Sequence, residues 1–375
     1  MRIVLLSPFP PLKGGIAHCS GALHAALTAA GDAVVVLPFK KLYPSFPSFL
    51  FSALSPPTPS NATLVLYNPL TWLSAVRRIR EQKPELLVIA YWSGVLAPLA
   101  LLFCRLSGTR MLLLLHNLTG HEAFWGESFL QRKLLSSVAG VVTLSHTVTR
   151  QVQHVAPSLP TLTLFHPIEK LPAPSFSKLE ARKALGLTSN APVLLFFGYV
   201  RRYKGLDLLL QALPHVVAQE PSLQVVVAGY FYEPLPRYQQ IAETLGITHN
   251  VTFHAGYVPS EKNATYFAAA DGVVLPYRAA TQSGVVPMAF AYGVPVIVTP
   301  VGALSEMVQH GTTGWIAKAA SPDAIAAALR EWLANRERWS AMRSSIEAMR
   351  DSVSWERFAA ECQPFFASLI DKGRR

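Results

Sequence analysis

The chain of 375 residues has few of the residues that mark metal, disulfide and dinucleotide chemistry. Its three cysteines, Cys19, Cys104 and Cys362, are far apart and form no C-x-x-C pair, which argues against a zinc site or a disulfide framework. The sequence contains no D-x-D, no G-x-G-x-x-G after its first strand and no G-x-x-x-x-G-K-[ST]. These absences disfavour a carboxylate-held metal, a dinucleotide cofactor and P-loop NTPase activity, so we expect no metal and no cofactor.

Charge is sparse and unevenly placed along the chain. Charged residues make up 15% of the sequence and apolar residues 51%, which is typical of a well-buried globular protein. Residues 1–170 hold 14 Lys and Arg against 6 Asp and Glu, so +8 of the net +11 lies there. A basic first half suits an acidic partner such as a phospholipid surface. No basic–aromatic RNA-recognition module is visible, so we expect no nucleic-acid partner.

Two apolar stretches raise the question of export or membrane insertion. The N-terminal run MRIVLLSPFP has too short an apolar core for a signal peptide and favours a buried first strand, so we expect a cytoplasmic protein. Residues 86–104 are 19 residues without a charge, near the length that spans a bilayer. Because Ser93 and Gly94 interrupt this stretch and Pro98 fits a first helical turn, a strand followed by a helix is favoured over a membrane span.

Apolar strands alternate with helical stretches along the chain. Continuous runs of Val, Leu and Ile, without polar alternation, predict parallel strands that are covered on both faces. A polar, proline-rich stretch at 167–192 separates two series of such units. We therefore predict an α/β fold with two doubly wound, Rossmann-like domains that face a cleft. The predicted parts are a first domain at 1–170, a second at 171–350, and a C-terminal helix at 351–375 that packs back on the first domain.

The stretch FFGYVRRYKG, residues 196–205, places three cations between a strand and the next helix. Ligands in open α/β sheets gather beyond the carboxyl ends of the strands, where loop amides and helix N-termini point outwards. The stretch therefore predicts a site for a phosphate or diphosphate, and the alternative is a solvated basic loop. Since no D-x-D is present, Arg201 and Lys204 would neutralise a departing diphosphate in place of a metal.

Seven blocks of sequence, in order, carry a resemblance to a known family. They are PFPPLKGGIAH, LLHNLTGHE, FFGYVRRYKGLDLLLQAL, VVVAGYFYE, VTFHAGYVP, VVLPYRAATQSGVVPMAFAYGVPVI and VGALSEMVQHGTTGWI. With these blocks the chain resembles the retaining glycosyltransferases of family 4, which have the GT-B fold of two Rossmann-like domains. The resemblance implies transfer of a sugar from a nucleotide-diphosphate donor to an acceptor hydroxyl with retention, in polysaccharide or glycolipid biosynthesis.

The resemblance also implies roles for individual residues. His116 would contact the donor sugar, while Arg201 and Lys204 would hold the diphosphate. Tyr199 stands where the family more often has its arginine, so the choice between Arg201 and Arg202 stays open. The other expected donor-binding residues are Gly14, Gly15, Gly198, Arg202, Gly256, Tyr257, Val258, Ser283, Gly284, Val285 and Glu306.

The chain departs from the family at two acidic positions. Where the family usually has two glutamates before its A-x-G-x-P-V strand, this sequence has Ala280 and Met288. The segment TQSGVVP stands there instead, and Ser283 and Gly284 would offer a hydroxyl and amides to phosphate or sugar. The missing glutamates keep a second function open, namely a non-catalytic protein that binds a sugar nucleotide or a glycan.

The loop LPFKKLYPSFPSFLFSAL, residues 37–54, predicts how an acceptor reaches the first domain. Lys40 and Lys41 precede a cluster of aromatic and apolar residues, an arrangement typical of peripheral contact with an anionic membrane. The expected acceptor is therefore a lipid-linked or membrane-proximal glycan. The alternative is a loop folded onto its own domain. The aromatic and apolar residues in question are Tyr43, Phe46, Phe49, Leu50 and Phe51.

Overall fold

The computed structural model describes residues 1–12, 14–42, 62–118 and 126–371. These residues form two compact units, one of Met1–Phe165 with Trp355–Arg375 and one of His166–Ser354. Most of the predicted membrane loop, residues 43–54, lies outside the described residues, and so does the end of the LLHNLTGHE block.

The first unit is built on a seven-stranded parallel sheet with the order β3-β2-β1-β4-β5-β6-β7. Its strands are β1 Arg2–Ser7, β2 Ala33–Lys41, β3 Leu64–Val65, β4 Leu86–Tyr91, β5 Arg110–Leu115, β6 Gly140–Thr143 and β7 Thr161–Thr163. Its first helices are α1 Gly15–Ala29, α2 Pro69–Gln82, α3 Ala97–Leu106, α4 Glu127–Leu135 and α5 His146–Val155. The chain reverses its direction of strand addition between β1 and β4, which makes their carboxyl ends the switch point of this sheet.

The stretch at 86–104 folds as the strand and helix that its sequence predicts. Strand β4 is buried along its whole length, a short 3₁₀ turn follows at Gly94–Leu96, and α3 begins at Ala97. In the described ranges, no helix is long and apolar enough to cross a membrane.

The second unit contains a six-stranded parallel sheet with the order β10-β9-β8-β11-β12-β13. Its strands are β8 Val193–Phe197, β9 Gln224–Gly229, β10 Val251–Ala255, β11 Gly272–Leu275, β12 Val296–Val298 and β13 Gly314–Ile316. Its helices are α6 Lys178–Ala184, α7 Leu206–Val217, α8 Leu235–Thr244, α9 Ser260–Ala269, α10 Val285–Ala291, α11 Pro322–Ala334 and α12 Trp339–Ser352. Here the switch point lies between β8 and β11, which are neighbours in the sheet but far apart in sequence.

A last helix, α13 at Trp355–Asp371, belongs to the first unit. Alternate residues of β1 belong to two different hydrophobic core clusters, one on each face of the sheet. Val4 packs on the face covered by α2 and α3, whereas Ile3 packs on the face covered by α1 and α13. Arg110 Nη1 donates a hydrogen bond of 2.8 Å to the carbonyl of Leu369 near the end of α13. The C-terminal helix thus completes one of the two faces that a buried parallel sheet must cover.

Two elements differ from the sequence prediction. Helix α1 begins at Gly15, whereas the stretch GALHAALTAAG, residues 21–31, predicts a helix that starts at Gly21. Gly21 is an interior residue of the helix, where an added Cβ would lie in ordinary contact with the ring of Pro10, at 3.4 Å. Strand β13 was not predicted, because three residues are too short for a periodic signal.

At the amino ends of β8 and β11, a buried ion pair fixes the two central strands. Asp271 directly precedes β11 and accepts hydrogen bonds of 2.7 Å from Arg182 Nη2 and from the backbone N–H of Val193, the first residue of β8. Lys178 Nζ also contacts this carboxylate. Since Arg182 and Asp271 are both almost fully buried, neither charge has water as an alternative partner.

We expect Asp271→Ala to lower the free energy of unfolding by about 3–5 kcal/mol, because it leaves the Arg182 guanidinium buried without its partner. Chemical denaturation measures this change. The control is Asp351→Ala, which removes an exposed ion pair with Lys170 (2.7 Å) and should cost about 1 kcal/mol or less. Equal losses in the two variants would contradict the structural role given to Asp271.

Candidate functional site

The predicted site residues of the first unit lie at the carboxyl edge of its sheet. Gly14 has a φ of 130° and is the N-cap of α1, and Gly15 is the first residue of that helix. Nothing lies within 4 Å of a Cβ added to either glycine, so open space surrounds this loop in the described part of the chain. His116 follows β5 directly, is buried, and donates its backbone N–H to the carbonyl of Tyr91 at 2.9 Å.

A polar cluster that the sequence did not predict lies at the same edge. Glu127, in the first turn of α4, is only 4% exposed and accepts a 3.1 Å hydrogen bond from Gln131 Nε2. A Cβ on Gly94 would collide with the Glu127 carboxylate, so this carboxylate lies against the backbone that follows β4. Burial, with a further effect of the Glu127 charge, raises the pKa of Tyr91 well above its ordinary value. The cluster places one buried carboxylate beside the switch point of the first sheet.

In the second unit, the predicted cationic turn lies at the carboxyl end of β8, at the switch point. Gly198 ends the strand with a φ of 99°, and a short 3₁₀ turn covers Arg202–Lys204. The turn is closed by the N–H of Lys204, which donates to the carbonyl of Arg201 at 2.9 Å. The N–H of Gly205 likewise donates to the carbonyl of Arg202 at 3.2 Å. The structure thus brings Gly198, Arg201, Arg202 and Lys204 into one turn.

Lys204 is a buried cation without a protein counter-charge in the described residues. Its side chain is 8% exposed, and its Nζ lies 5.2 Å from the ring centroid of Tyr277. Burial is the main cause that lowers the pKa of Lys204. Tyr203 raises this pKa and the nearby charge of Arg201 lowers it further, while no carboxylate of the described residues contributes. A Cβ added to Gly198 would lie 3.4 Å from Nζ, which is an ordinary contact distance, so the φ of 99° and not a lack of space favours glycine at this position. An uncompensated buried cation is costly, and an anion beside it would remove that cost.

The two arginines of the turn have different surroundings. The guanidinium of Arg201 stacks on Tyr232, with Cζ 3.9 Å from the ring centroid. Tyr232 belongs to an aromatic cluster with Tyr199 and Tyr230 at the ends of β8 and β9. Arg202 is exposed, and its described contact is through its backbone carbonyl. Arg201 is therefore the better held of the two guanidinium groups.

An arginine that the sequence analysis did not select ties the cationic turn to the loop after β11. The backbone N–H of Arg278 donates to the carbonyl of Tyr203 at 2.7 Å, and its Nη1 donates to the carbonyl of Arg202 at 3.1 Å. Its guanidinium also forms two parallel hydrogen bonds with Asp207, of 2.6 and 2.7 Å. Such a fork-to-carboxylate pair is strong and fixes the geometry of both groups.

Asp207 changes what the N-terminus of α7 offers to a ligand. Its carboxylate accepts hydrogen bonds from its own backbone N–H and from that of Leu208, in the first turn of the helix. Burial raises the pKa of Asp207, but the hydrogen bonds and charge of Arg278 outweigh burial and leave that pKa below its ordinary value. The helix N-terminus, which the sequence predicts as part of the phosphate site, is thus already engaged by a protein carboxylate.

The loop that replaces the two family glutamates carries neutral polar groups. Ser283 Oγ lies 3.4 Å from the hydroxyl of Tyr277 and accepts a 3.2 Å hydrogen bond from the N–H of Val285, the first residue of α10. Gly284 is exposed, with nothing within 4 Å of an added Cβ. Gln282 was not predicted, yet its Nε2 is buried with no hydrogen-bond acceptor among the described residues. A ligand oxygen would supply that acceptor.

The two substituted positions are themselves packed against the protein. Ala280 is buried, and its carbonyl oxygen would collide with a Cβ on Gly302, so its loop lies directly on the turn after β12. Met288, in α10, has its sulfur 3.9 Å from Nδ2 of Asn263. The side-chain oxygen of Asn263 is buried and has no hydrogen-bond donor in the part of the chain that the structure describes.

The remaining predicted residues lie along the same edge of the second sheet. Gly256 follows β10 with a φ of 138° and donates its N–H to the carbonyl of Gly229 at 2.9 Å. Tyr257 is 40% exposed, and Val258 is half-buried. Glu306 is half-buried in a run of turns after β12. Among the described residues, no group of three or more His, Cys, Asp or Glu side chains is placed to hold a metal ion.

Comparison with curated proteins relates both units to sugar transferases. Residues 177–349 match the family model described as Glycosyl transferases group 1. A GDP-mannose-dependent alpha-(1-6)-phosphatidylinositol monomannoside mannosyltransferase of Mycobacterium tuberculosis H37Rv is 30% identical over 359 residues, covering 90% of each chain. A D-inositol 3-phosphate glycosyltransferase of Geodermatophilus obscurus is 36% identical over 165 residues, which are 42% of this chain and 36% of that relative.

Comparison with solved structures concerns the fold. Sucrose-phosphate synthase from Thermosynechococcus elongatus superposes with a TM-score of 0.77 at 20% identity, covering 99% of both chains. HepE from Anabaena, in complex with UDP, superposes with a TM-score of 0.76 at 17% identity, covering 98% of this chain and all of that one. The predicted α/β class with two Rossmann-like, parallel-sheet domains, the GT-B fold, is confirmed.

We expect Lys204→Met to be at least as stable as the wild type, because it removes a buried charge and keeps an apolar side chain of similar length. Since the folded-state pKa is lowered, the folded chain binds this proton less well than the unfolded chain. The buried lysine therefore destabilises the folded state fully at pH values below its folded-state pKa. This destabilisation fades as the pH rises through that pKa towards the ordinary value of 10.5. Denaturation across this pH range should therefore show the variant's advantage shrinking as pH rises.

The matched control is Lys318→Met, at an exposed lysine of the same unit, which should show no such trend. A Lys204→Met variant that is less stable than the wild type at neutral pH, by about 1 kcal/mol or more, would mean that the ammonium already has a stabilising partner in the protein.

Proposed function

The chain belongs to the glycosyl transferases group 1, and from that membership we propose that it transfers a sugar from a nucleotide-diphosphate donor to an acceptor hydroxyl with retention of anomeric configuration. Glycosyltransferase activity is the common property of the family. The donor class, the stereochemical course, and a role in polysaccharide or glycolipid biosynthesis are our proposal.

The single observation that supports the donor most directly is the buried ammonium of Lys204. Together with Arg201, it presents two positive charges at the switch point of the second sheet, and the described residues supply Lys204 with no carboxylate. A diphosphate carries the matching negative charge. Because these cations are fixed and partly desolvated, they interact more strongly with an anion than solvated side chains would.

The proposed reaction is a front-face displacement that uses this charge. The acceptor hydroxyl attacks the anomeric carbon as the bond from that carbon to the diphosphate oxygen breaks, and the departing diphosphate accepts the hydroxyl proton. Arg201 and Lys204 stabilise the charge that develops on the diphosphate, which is worth more in the transition state than in the bound donor. For His116, Gly14 and Gly15 we propose the role that the family resemblance implies, which is to contact and orient the transferred sugar.

The rest of the donor would be held by the loops at the carboxyl ends of β10, β11 and β12. We propose that the backbone at Gly256, Tyr257 and Val258 contacts the nucleobase. Ser283, Gly284, Val285 and Gln282 would offer a hydroxyl and N–H groups where the family has carboxylates. Glu306 is a further candidate contact. The mannosyltransferase relative is named for GDP-mannose and the HepE structure contains UDP, so guanine and uracil donors head the list to be tested.

Acceptor and location form the second part of the proposal. The mannosyltransferase relative acts on a phosphatidylinositol monomannoside, which is a lipid. Residues 1–170 carry +8 of the net charge of +11, and Lys40 and Lys41 are exposed at the end of β2. These observations support a lipid-linked or membrane-proximal acceptor, reached by peripheral contact with the anionic inner face of a membrane.

A donor panel with one variant tests the proposed reaction. We expect GDP-mannose, UDP-glucose or a related sugar nucleotide to stabilise the wild type thermally and to release its nucleoside diphosphate when an acceptor is present. Lys204→Ala should lower turnover by about two to three orders of magnitude, since contacts to a developing anion are worth a few kcal/mol. Lys318→Ala is the control and should turn over as the wild type does.

The outcomes separate the two functions that the sequence leaves open. Turnover by Lys204→Ala equal to that of the wild type would refute the diphosphate role of this residue. Tight donor binding without any transfer or hydrolysis would identify the non-catalytic alternative, in which Ala280 and Met288 mark a lost activity.

Membrane contact is tested by co-sedimentation with vesicles that contain phosphatidylglycerol. We expect Lys40→Glu/Lys41→Glu to weaken binding by about tenfold or more, because each lysine near an anionic surface contributes about 1 kcal/mol, and high salt should do the same. The control Lys318→Glu/Arg330→Glu makes the same change in net charge on the second unit and should bind normally. Wild-type binding that is absent, or that is indifferent to salt and to both variants, would favour a soluble acceptor.

A further inference from the structure

Arg278 joins the cationic turn to the loop after β11 through both its backbone and its side chain, and the rings of Tyr203 and Tyr277 also pack edge to face there. Arg278 contacts three successive parts of the turn and helix: the carbonyl of Arg202, the carbonyl of Tyr203, and the carboxylate of Asp207. The backbones also approach closely, because a Cβ on Gly205 would collide with the carbonyl oxygen of Pro276. Two loops that are about seventy residues apart in sequence are therefore in direct contact at this point.

The turn needs such a restraint because its own charge favours a different conformation. Lys204 is buried without a counter-charge among the described residues, and Arg201 adds repulsion from the neighbouring position. A three-residue 3₁₀ turn closed by two backbone hydrogen bonds is a weak element. If nothing else held it, the turn could open and let the ammonium reach water, which would relieve the cost of burial.

We propose that Arg278 and Asp207 form a clamp that holds the turn closed in the absence of ligand, so that Lys204 is already positioned for the diphosphate. Arg278 is then a positioning residue, acting through Lys204. This inference rests on the proposed function, because it assigns the anion to the nucleotide donor. Preorganisation of this kind raises affinity, since the cost of ordering and desolvating the cation is met on folding and not on binding.

The chemistry of the clamp explains why an arginine and an aspartate serve here. The planar guanidinium binds both carboxylate oxygens and still reaches the carbonyl of Arg202, a geometry that a lysine ammonium lacks. The pair is neutral as a whole, so it restrains the turn without adding net charge beside Arg201 and Lys204. Arg278 and Asp207 are partly shielded, with side-chain exposures of 34% and 15%, which limits competition by water.

Hydrogen–deuterium exchange of the ligand-free protein tests the clamp directly. In Arg278→Gln, we expect the amides of Lys204 and Gly205 to exchange at least about tenfold faster than in the wild type. In Arg278→Gln/Lys204→Met, the exchange rates of the same amides should stay within about threefold of the wild-type rates, because exposing a buried methionine to water is unfavourable. A merely structural arginine would loosen the turn equally in both backgrounds, and that result would overturn the proposal.

Affinity for GDP and for UDP, measured by calorimetry, gives the second readout. Arg278→Gln and Arg278→Lys should each weaken binding by about tenfold to a hundredfold, the lysine failing because it lacks the fork. The control is Arg336→Gln, which breaks a pair with Glu220 before the amino end of β9 and should bind within about threefold of the wild type. If Arg278→Gln binds GDP and UDP as tightly as the wild type does, the clamp proposal is overturned, but the proposed function is not affected. A wild-type protein that binds no nucleoside diphosphate of the donor panel, GDP and UDP included, would overturn the proposed function and, with it, the clamp's role in donor binding.

Discussion

A desolvated cation at the end of a central strand is the interaction on which the rest of the candidate site depends. Lys204 is buried beside Tyr277, and no carboxylate contributes to its pKa. Burying charge in this way opposes folding, so neighbouring features must support it. Gly198 adopts the φ of 99° with which the chain leaves β8, and Gly205 allows the turn to approach the backbone of Pro276. An anionic ligand would compensate the charge that these features bury.

In the second sheet, the amino ends of the central strands stabilise the fold, and their carboxyl ends form the candidate site. At the amino ends of β8 and β11, Asp271 and Arg182 form a buried pair in which both charges are satisfied. At the carboxyl ends of the same two strands, the buried charge of Lys204 has no carboxylate partner among the described residues, and Arg278 holds the loops. The same scaffold therefore supports an ion pair that stabilises the fold at one end and an unpaired cation suited to a ligand at the other.

The sequence alone predicts those features of the molecule that local residue patterns encode. Continuous Val and Leu runs identified most strands, because burial on both faces leaves a local signature, and Ser93, Gly94 and Pro98 divided one apolar stretch into a strand and a helix. The cations of the turn were visible because glycines bracket them. The partnership of Asp207 with Arg278, and that of Glu127 with Tyr91, join residues far apart in the chain. Nothing in the local sequence of either partner marks such a pair before the fold is known.

The charge distribution of the candidate site gives a physical reason for the absence of the two glutamates that are usual in the family. With Ala280 and Met288 at those positions, the carboxylate tied most closely to the cationic turn is Asp207, and Arg278 neutralises it through two hydrogen bonds. Neutral side chains at these two positions add no negative charge that would compete with an anionic ligand for the cations. Neutral donors such as the Ser283 hydroxyl and the Gln282 amide add hydrogen bonds without that competition. The positive charge of Arg201 and Lys204 is thereby left for the ligand alone, which favours a diphosphate over a neutral sugar as the group bound there.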